Sequence, residues 1–425
     1  MLRAPPTGLC LTALAVAFLV GAATGQSGKD LRDRVTLTDG GVVEGRLATP
    51  FAGGDLLVLE GGKRTRVRRE KVQSTDTVAQ HVATFFERRL RHQRSPKALR
   101  YLVDWAEQHR LPGLARLQAT ELVLLDDGDA KMHEYLGHKL QSKVWRWRVD
   151  GRWRTREQLE DDLAEQPLRL AGERFALTCD AGLLANVRAL FDLEHLAVVW
   201  FRQYGRDLEL REVLETIEVR TYRSEQDFPK WGFRPRPYFE PPPHADLGRT
   251  FFSGPAPTRP DLLFFVGAQG LLYRTLIGEA DRGDRRSGVC SWLEVGLGMH
   301  LQRRMQGDAG FAAPAAAVTP DLVALRALGR GYRLTHLVHL PMYSSFYLTD
   351  NTDTATHWAA AEMFATWLLD GDAGHKLRPK FVGYIKAALR ERKGDSSTAF
   401  DRALETKIER LEEPWLEWLH DLAGN

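Results

Sequence analysis

Histidines at short spacings are the residues in this chain whose type and position could bind a metal. His336 and His339 lie three positions apart in LTHLVHL, a spacing that can place two imidazoles on one face of a helix. Zinc would need further donors, and the neighbouring residues are apolar, so packing histidines are favoured. His133 and His138 in HEYLGH imitate the zinc signature HExxH with one residue too many. A helix would separate these two side chains by about 140°, so we expect no zinc site there.

Cysteine chemistry is limited, because the chain contains 3 cysteines. Cys10 lies in the apolar N-terminal run, which leaves Cys179 and Cys290 for the remaining chain. In an oxidising compartment these two could form a disulfide, and two buried thiols are an equally good interpretation. Two cysteines without added histidines cannot form a structural zinc site.

Two apolar helices are predicted between Thr258 and Met305. Thr258 is suited to cap the first helix, Pro260 lies in its first turn, and Gly278 ends it. The second helix begins near Cys290 and opens with the sequence WLEVGLG. A charged loop separates the two helices.

This layout resembles the active-site half of a secreted, planctomycete-type gluzincin (peptidase MA-like) metallopeptidase. Those enzymes carry HExxH on one helix and a sequence close to WLxEGLA on the next, whose Glu is the third zinc ligand. In this register Ala268 and Leu272 occupy the histidine positions and Gln269 the general-base position. Val295 occupies the position of the ligand Glu, and Glu294 lies one place away.

The resemblance implies a zinc-dependent peptide hydrolase, but the residues at these four positions cannot perform that chemistry. The side chains of Ala268, Leu272 and Val295 have no lone pairs for zinc, and the Gln269 amide cannot take a proton from water. These positions are therefore vestigial in our interpretation. We predict no catalytic residue, no bound metal and no cofactor.

The predicted fold class is α+β, with a zincin-like domain of a small mixed sheet plus helices. In that domain, Phe175–Cys179 and Ile217–Tyr222 are predicted strands, and Leu183–Tyr204 is a long helix. A small SH3-like β-barrel and a helical-hairpin, TPR-like segment are expected to precede it. The predicted segments are a signal peptide (1–25), a β-barrel (30–74), a helical segment (77–140), a β-hairpin with a linking helix (144–170) and a gluzincin-like domain (171–422).

Composition and the N-terminal sequence limit the classes of function that are possible. A net charge of +3 on 425 residues gives no reason to expect a nucleic-acid surface. The N-terminus has the features of a secretory signal: Arg3, the apolar run from Leu9 to Val20 and the small residues after it. An uncleaved membrane anchor is the alternative for this segment, and no later segment is predicted to span a membrane. Basic and aromatic residues alternate in VWRWRVDGRWR (144–154), for which a structural hairpin is favoured over nucleic-acid binding.

Three hypotheses follow for a secreted, periplasmic or envelope protein. The first is a non-catalytic pseudo-metallopeptidase that binds a peptide or protein or serves as a scaffold. The second is a hydrolase with a rebuilt metal site, for which His300, His336, His339 and Glu294 are the candidate ligands. The third is a structural or assembly protein of the cell envelope.

Overall fold

The fold is a mixture of helices and small sheets, and is therefore α+β. The computed structural model describes residues 17–18, 33–51, 53–92, 95–180, 182–223, 238–240, 247–251, 260–277, 291–306, 332–340, 346, 352–371, 374–390 and 397–424. The predicted signal peptide lies outside these ranges except for Ala17–Phe18 (β1), which pair with Leu168 and Arg169. Within the ranges given, every helix is too short or too polar to cross a bilayer.

A five-stranded antiparallel sheet follows, and its strands enclose a small apolar core of their own. Its strands are β2 (Asp33–Leu37), β3 (Val42–Leu47), β4 (Leu56–Glu60), β5 (Lys63–Val67) and β6 (Val72–Asp76), in the order β5-β4-β3-β2-β6. The strands predicted in residues 30–74 are present. In the described residues, however, β5 and β6 remain at opposite edges and the expected barrel is not closed. Charged side chains at Lys63, Arg64 and Arg66 on β5 disfavour further strand pairing at that edge.

Four helices occupy most of the segment predicted to be helical. They are α1 (Val78–His92), α2 (Pro96–Gln108), α3 (Pro112–Leu125) and α4 (Ala130–Tyr135). Ser95 caps α2 by accepting a hydrogen bond from the Ala98 amide at 3.3 Å, and Pro96 occupies the first turn. α2 and α3 pack against each other as a helical hairpin.

The predicted hairpin at 144–154 is present and gains a third strand. β7 (Lys139–Gln141), β8 (Val144–Val149) and β9 (Arg152–Arg154) form an antiparallel sheet, followed by α5 (Arg156–Asp162). Residues 139–140 were predicted to belong to the helical segment and instead begin β7. The turn that creates β7 uses Ser142 and Lys143 at φ 53° and 65°, where no glycine marked it in the sequence.

A six-stranded mixed sheet is the scaffold of the main domain. Its strands are β10 (Leu168–Ala171), β11 (Phe175–Cys179), β12 (Ile217–Tyr222), β13 (Tyr238–Glu240) and β14 (Leu247–Phe251), in the order β1-β10-β11-β12-β14-β13. β11, β12 and β14 are parallel to one another. β10 runs antiparallel to β11 and parallel to β1, and β13 runs antiparallel to β14. α6 (Leu183–Tyr204) connects β11 to β12 and is buried along most of its length.

The C-terminal half is helical. Its helices are α7 (Pro260–Leu271, continued as a π-helix over Leu272–Ile277), α8 (Ser291–Gln306), α9 (Leu334–Leu337), α10 (Thr352–Asp370), α11 (Gly374–Ile385, continued as a π-helix over Lys386–Arg390), α12 (Ser397–Leu404) and α13 (Glu409–Gly424). These helices, α6 and the helical segment share one apolar core. For example, the Phe86 ring of α1 lies 6.3 Å from the Phe191 ring of α6.

Candidate functional site

The helix pair α7 and α8 carries the positions that the sequence analysis singled out, and it is packed very closely. A Cβ atom built on Gly296 of α8 would lie 2.5 Å from the Ala361 carbonyl oxygen of α10. One built on Gly298 would lie 3.0 Å from the Phe265 ring of α7. The first contact is shorter than a side chain tolerates and the second is tight, so glycine allows the three helices to approach each other.

The four positions aligned with the gluzincin motifs lie in the interior of this helix assembly. Ala268, Leu272 and Val295 have no exposed surface, and Gln269 is 3% exposed. Ala268, Leu272 and Val295 belong to the main apolar core rather than to the wall of an open cleft. The structure thus places the predicted residues on two helices in contact, in surroundings that suit their apolar side chains.

Glu294 is the carboxylate nearest in sequence to the position aligned with the zinc-ligand Glu, and it is hydrogen-bonded to Tyr273. Its side chain is 1% exposed and accepts a hydrogen bond from the Tyr273 hydroxyl, with oxygen–oxygen distances of 3.0 and 3.2 Å. Tyr273 comes from the π-helical turn after α7, a distortion that often marks a functional position. The contact between Tyr273 and Glu294 was not predicted, because a π-helical turn has no simple sequence signal.

His300 lies two turns further along α8 in a buried polar network. Its Nε2 atom is 2.6 Å from the Tyr204 hydroxyl of α6, and its Nδ1 atom is 3.1 Å from the Thr366 hydroxyl of α10. Asp370 approaches Nε2 at 3.6 Å and also pairs with Arg304. Burial lowers the pKa of His300 to about 4, so the ring is neutral near pH 7.

His336 and His339 lie on and just after the short helix α9, and both are exposed. The His336 ring is 5.6 Å from His357 of α10, and the His357 Nδ1 atom is 2.8 Å from the Tyr332 hydroxyl. His300 and Glu294 instead bond to Tyr204 and Tyr273. Across the described ranges, no three His, Cys, Asp or Glu side chains are grouped closely enough to hold a metal ion.

His133 and His138 meet, in contrast to the separation expected on a continuous helix. α4 ends at Tyr135, and Gly137 adopts a φ of +76°, which turns His138 back toward His133. Their Nδ1 atoms are 2.8 Å apart, a hydrogen bond in which one ring donates and the other accepts. Burial lowers the pKa of both rings, that of His138 to about 3. The pair is therefore a neutral structural contact.

A buried ion pair near the start of the main domain was not predicted. Arg174 is 3% exposed, and its Nε and Nη2 atoms donate to Glu212 at 2.7 and 3.1 Å. Glu194 of α6 accepts hydrogen bonds from the amides of Arg174 and Phe175. Burial, and then the Glu194 charge, raise the pKa of the neighbouring Glu173 to about 7. Sequence spacing gave no signal for these long-range contacts.

The same region joins the five-stranded sheet to the main domain. Arg46 donates to the carbonyl oxygens of Val213 and Leu214, and the Glu212 amide donates to the Ala48 carbonyl at 3.0 Å. The Phe51 and Phe201 rings stack with centroids 5.0 Å apart. These polar and aromatic contacts give the buried charges a structural role between two parts of the fold.

Cys179 is buried in β11, and Cys290 lies outside the described residues.

The comparisons with known proteins do not assign the chain to a group. Neither the comparison with protein families nor the comparison with curated proteins finds a match.

Proposed function

We propose that this chain is a non-catalytic, pseudo-metallopeptidase-like protein that acts as a binding or scaffold module. The observation that carries the proposal is the complete burial of Ala268, Leu272 and Val295 in an apolar core. A catalytic zinc site needs three protein ligands and an open coordination position that water and substrate can reach. Side chains that have no lone pairs cannot bind zinc. Because they are also packed away from solvent, water and substrate could not reach a metal there.

The contact between Tyr273 and Glu294 supports the same interpretation. A general base must reach a water molecule beside the substrate, either directly or through one further water. Glu294 is 1% exposed and accepts a hydrogen bond from the phenol. Its role in this proposal is to satisfy the buried Tyr273 hydroxyl and to fix the π-helical turn against α8.

Finer features of the proposal rest on the sequence resemblance together with the strand order. The mixed sheet followed by apolar helices supports a zincin-like assignment for residues 171–422. In the five-stranded sheet the first strand pairs with both the second and the last, which supports an SH3-like assignment. The signal-peptide features at 1–25 support a secreted or periplasmic location, where a peptide or protein is the proposed partner.

The proposal is tested by incubating the purified full-length protein with a mixed peptide library and added zinc, then following cleavage by mass spectrometry. We expect the library to remain intact. The decisive variants are Glu294→Gln and the double variant His336→Ala/His339→Ala, with Glu417→Gln as a charge-matched control. Cleavage by the wild type that either decisive variant abolishes, and the control retains, would show that a rebuilt site is active.

A further inference from the structure

The sheet formed by β7, β8 and β9 has one face that is mostly exposed among the described residues. Lys139 pairs with Arg146, and Arg148 pairs with Trp153. Residues directly opposite each other on antiparallel strands point to the same side, and positions along a strand alternate. One side, here called the outer face, therefore carries Lys139, Gln141, Val144, Arg146, Arg148 and Trp153.

The opposite, inner face accounts for the stability of the sheet. Trp145 stacks on His133 with ring centroids 4.4 Å apart, and Trp147 packs on His138 at 4.2 Å. Trp147 is 1% exposed and belongs to the main apolar core. Trp145 and Trp147, two of the hairpin's three tryptophans, thus have a structural role on the inner face. Within the described residues, the outer face has no such role.

The outer face carries three basic side chains. Within the described part of the chain, Lys139, Arg146 and Arg148 form no ion pair, and the Arg146 Nε atom is shielded from solvent without a hydrogen-bond partner. On the inner side of the same sheet, Arg154 pairs with Asp162 of α5. The outer face therefore presents three free cations, spaced about 7 Å apart along β8 and about 5 Å apart across to β7.

Trp153 adds a flat apolar surface to this charged face. It is 39% exposed, although tryptophan is usually well covered in folded proteins. Arg and Trp are the residue types most enriched in the energetic centres of binding surfaces. A ligand that complements the face must carry repeated anionic groups and at least one flat, partly apolar surface.

We propose that the outer face binds an acidic polysaccharide. Guanidinium groups bind carboxylates through two parallel hydrogen bonds, and the face of a sugar ring can pack on the indole of Trp153. Single-stranded nucleic acid fits less well, because it is bound on several successive aromatic side chains, and Trp145 and Trp147 already pack against histidines on the inner face. The choice of a polysaccharide as the ligand rests on the secreted location proposed above. The existence of the charged site does not depend on that location.

The test measures binding of the full-length protein to polygalacturonate by biolayer interferometry at about 0.1 M salt, a condition that keeps charge interactions measurable. Dextran serves as the neutral polymer and oligothymidine as the nucleic-acid arm. The variants are Arg146→Gln/Arg148→Gln and Trp153→Ala. Lys63→Gln/Arg64→Gln removes the same charge from the edge strand β5 and is the matched control.

We expect binding to polygalacturonate but not to dextran, with an affinity at least about tenfold weaker in each outer-face variant, or about 1.4 kcal/mol. The control variant should stay within about twofold of wild type, and circular dichroism should show that all variants are folded. Absence of polygalacturonate binding, equal loss in the control, or tighter binding of oligothymidine would each overturn the proposal. Peptidase activity does not enter this assay, so its result is independent of the cleavage test.

Discussion

Gly296→Ala is the substitution that most directly tests the closed packing of α8 against α10. The added Cβ would lie 2.5 Å from the Ala361 carbonyl oxygen and 3.0 Å from the Ala365 Cβ atom. The first of these atoms belongs to the helix backbone, so it cannot rotate away as a side chain could. The two helices must therefore separate, or the substituted residue must shift within the core.

The magnitude follows from two opposing effects. Replacing glycine by alanine inside a helix gains about 1 kcal/mol from helix propensity. Overpacking a filled core typically costs about 1–3 kcal/mol, and a backbone contact belongs at the upper end of that range. We therefore expect Gly296→Ala to lower the free energy of unfolding by roughly 1–2 kcal/mol after the propensity gain is included.

Gly383→Ala is the matched control, because a Cβ on this residue of α11 would have no atom within 4 Å. It should raise the free energy of unfolding by about 0.5–1 kcal/mol through helix propensity alone. Urea unfolding followed by tryptophan fluorescence measures both variants, since the nearby Trp292 is fully buried. A Gly296→Ala protein as stable as Gly383→Ala would refute the close packing described here.

Two further predictions concern buried polar groups. Arg174→Met should cost about 3–5 kcal/mol because it leaves the buried Glu212 carboxylate without its cation, and Arg174→Met/Glu212→Leu should recover much of that loss in urea unfolding. Equal instability of the single and double variants would contradict this. His300 has a folded-state pKa of about 4 against 6.5 when unfolded, so stability should fall as pH drops from 6.5 toward 4. His300→Gln should flatten that fall, and an unchanged pH profile would contradict it.

The elements of the main domain were predictable because each has a strong local pattern. The predicted limits of β11, α6 and β12 agree with the structure. The first of the two apolar helices was expected to stop at Gly278, and the described helical run ends at Ile277. In these segments the hydrophobic pattern is strong enough to predict the type of element from the sequence alone.

Features that depend on uncommon backbone geometry or distant partners were not predictable. The helix geometry assumed for His133 and His138 was wrong, because the chain reverses at Gly137. β7 was missed because Ser142 and Lys143 form its turn without glycine. The pairing of Arg174 with Glu212 joins residues 38 positions apart, and no periodic pattern encodes such a contact.

Zinc content measured by mass spectrometry tests whether this chain holds a metal site. The purified protein would be incubated with zinc, desalted and compared with the triple variant His300→Ala/His336→Ala/His339→Ala. We expect the wild type to retain less than about a tenth of an equivalent, since a structural site binds zinc with about 10 kcal/mol or more. One tightly held equivalent in the wild type, lost in the triple variant, would contradict it and show that the chain has rebuilt a metal site.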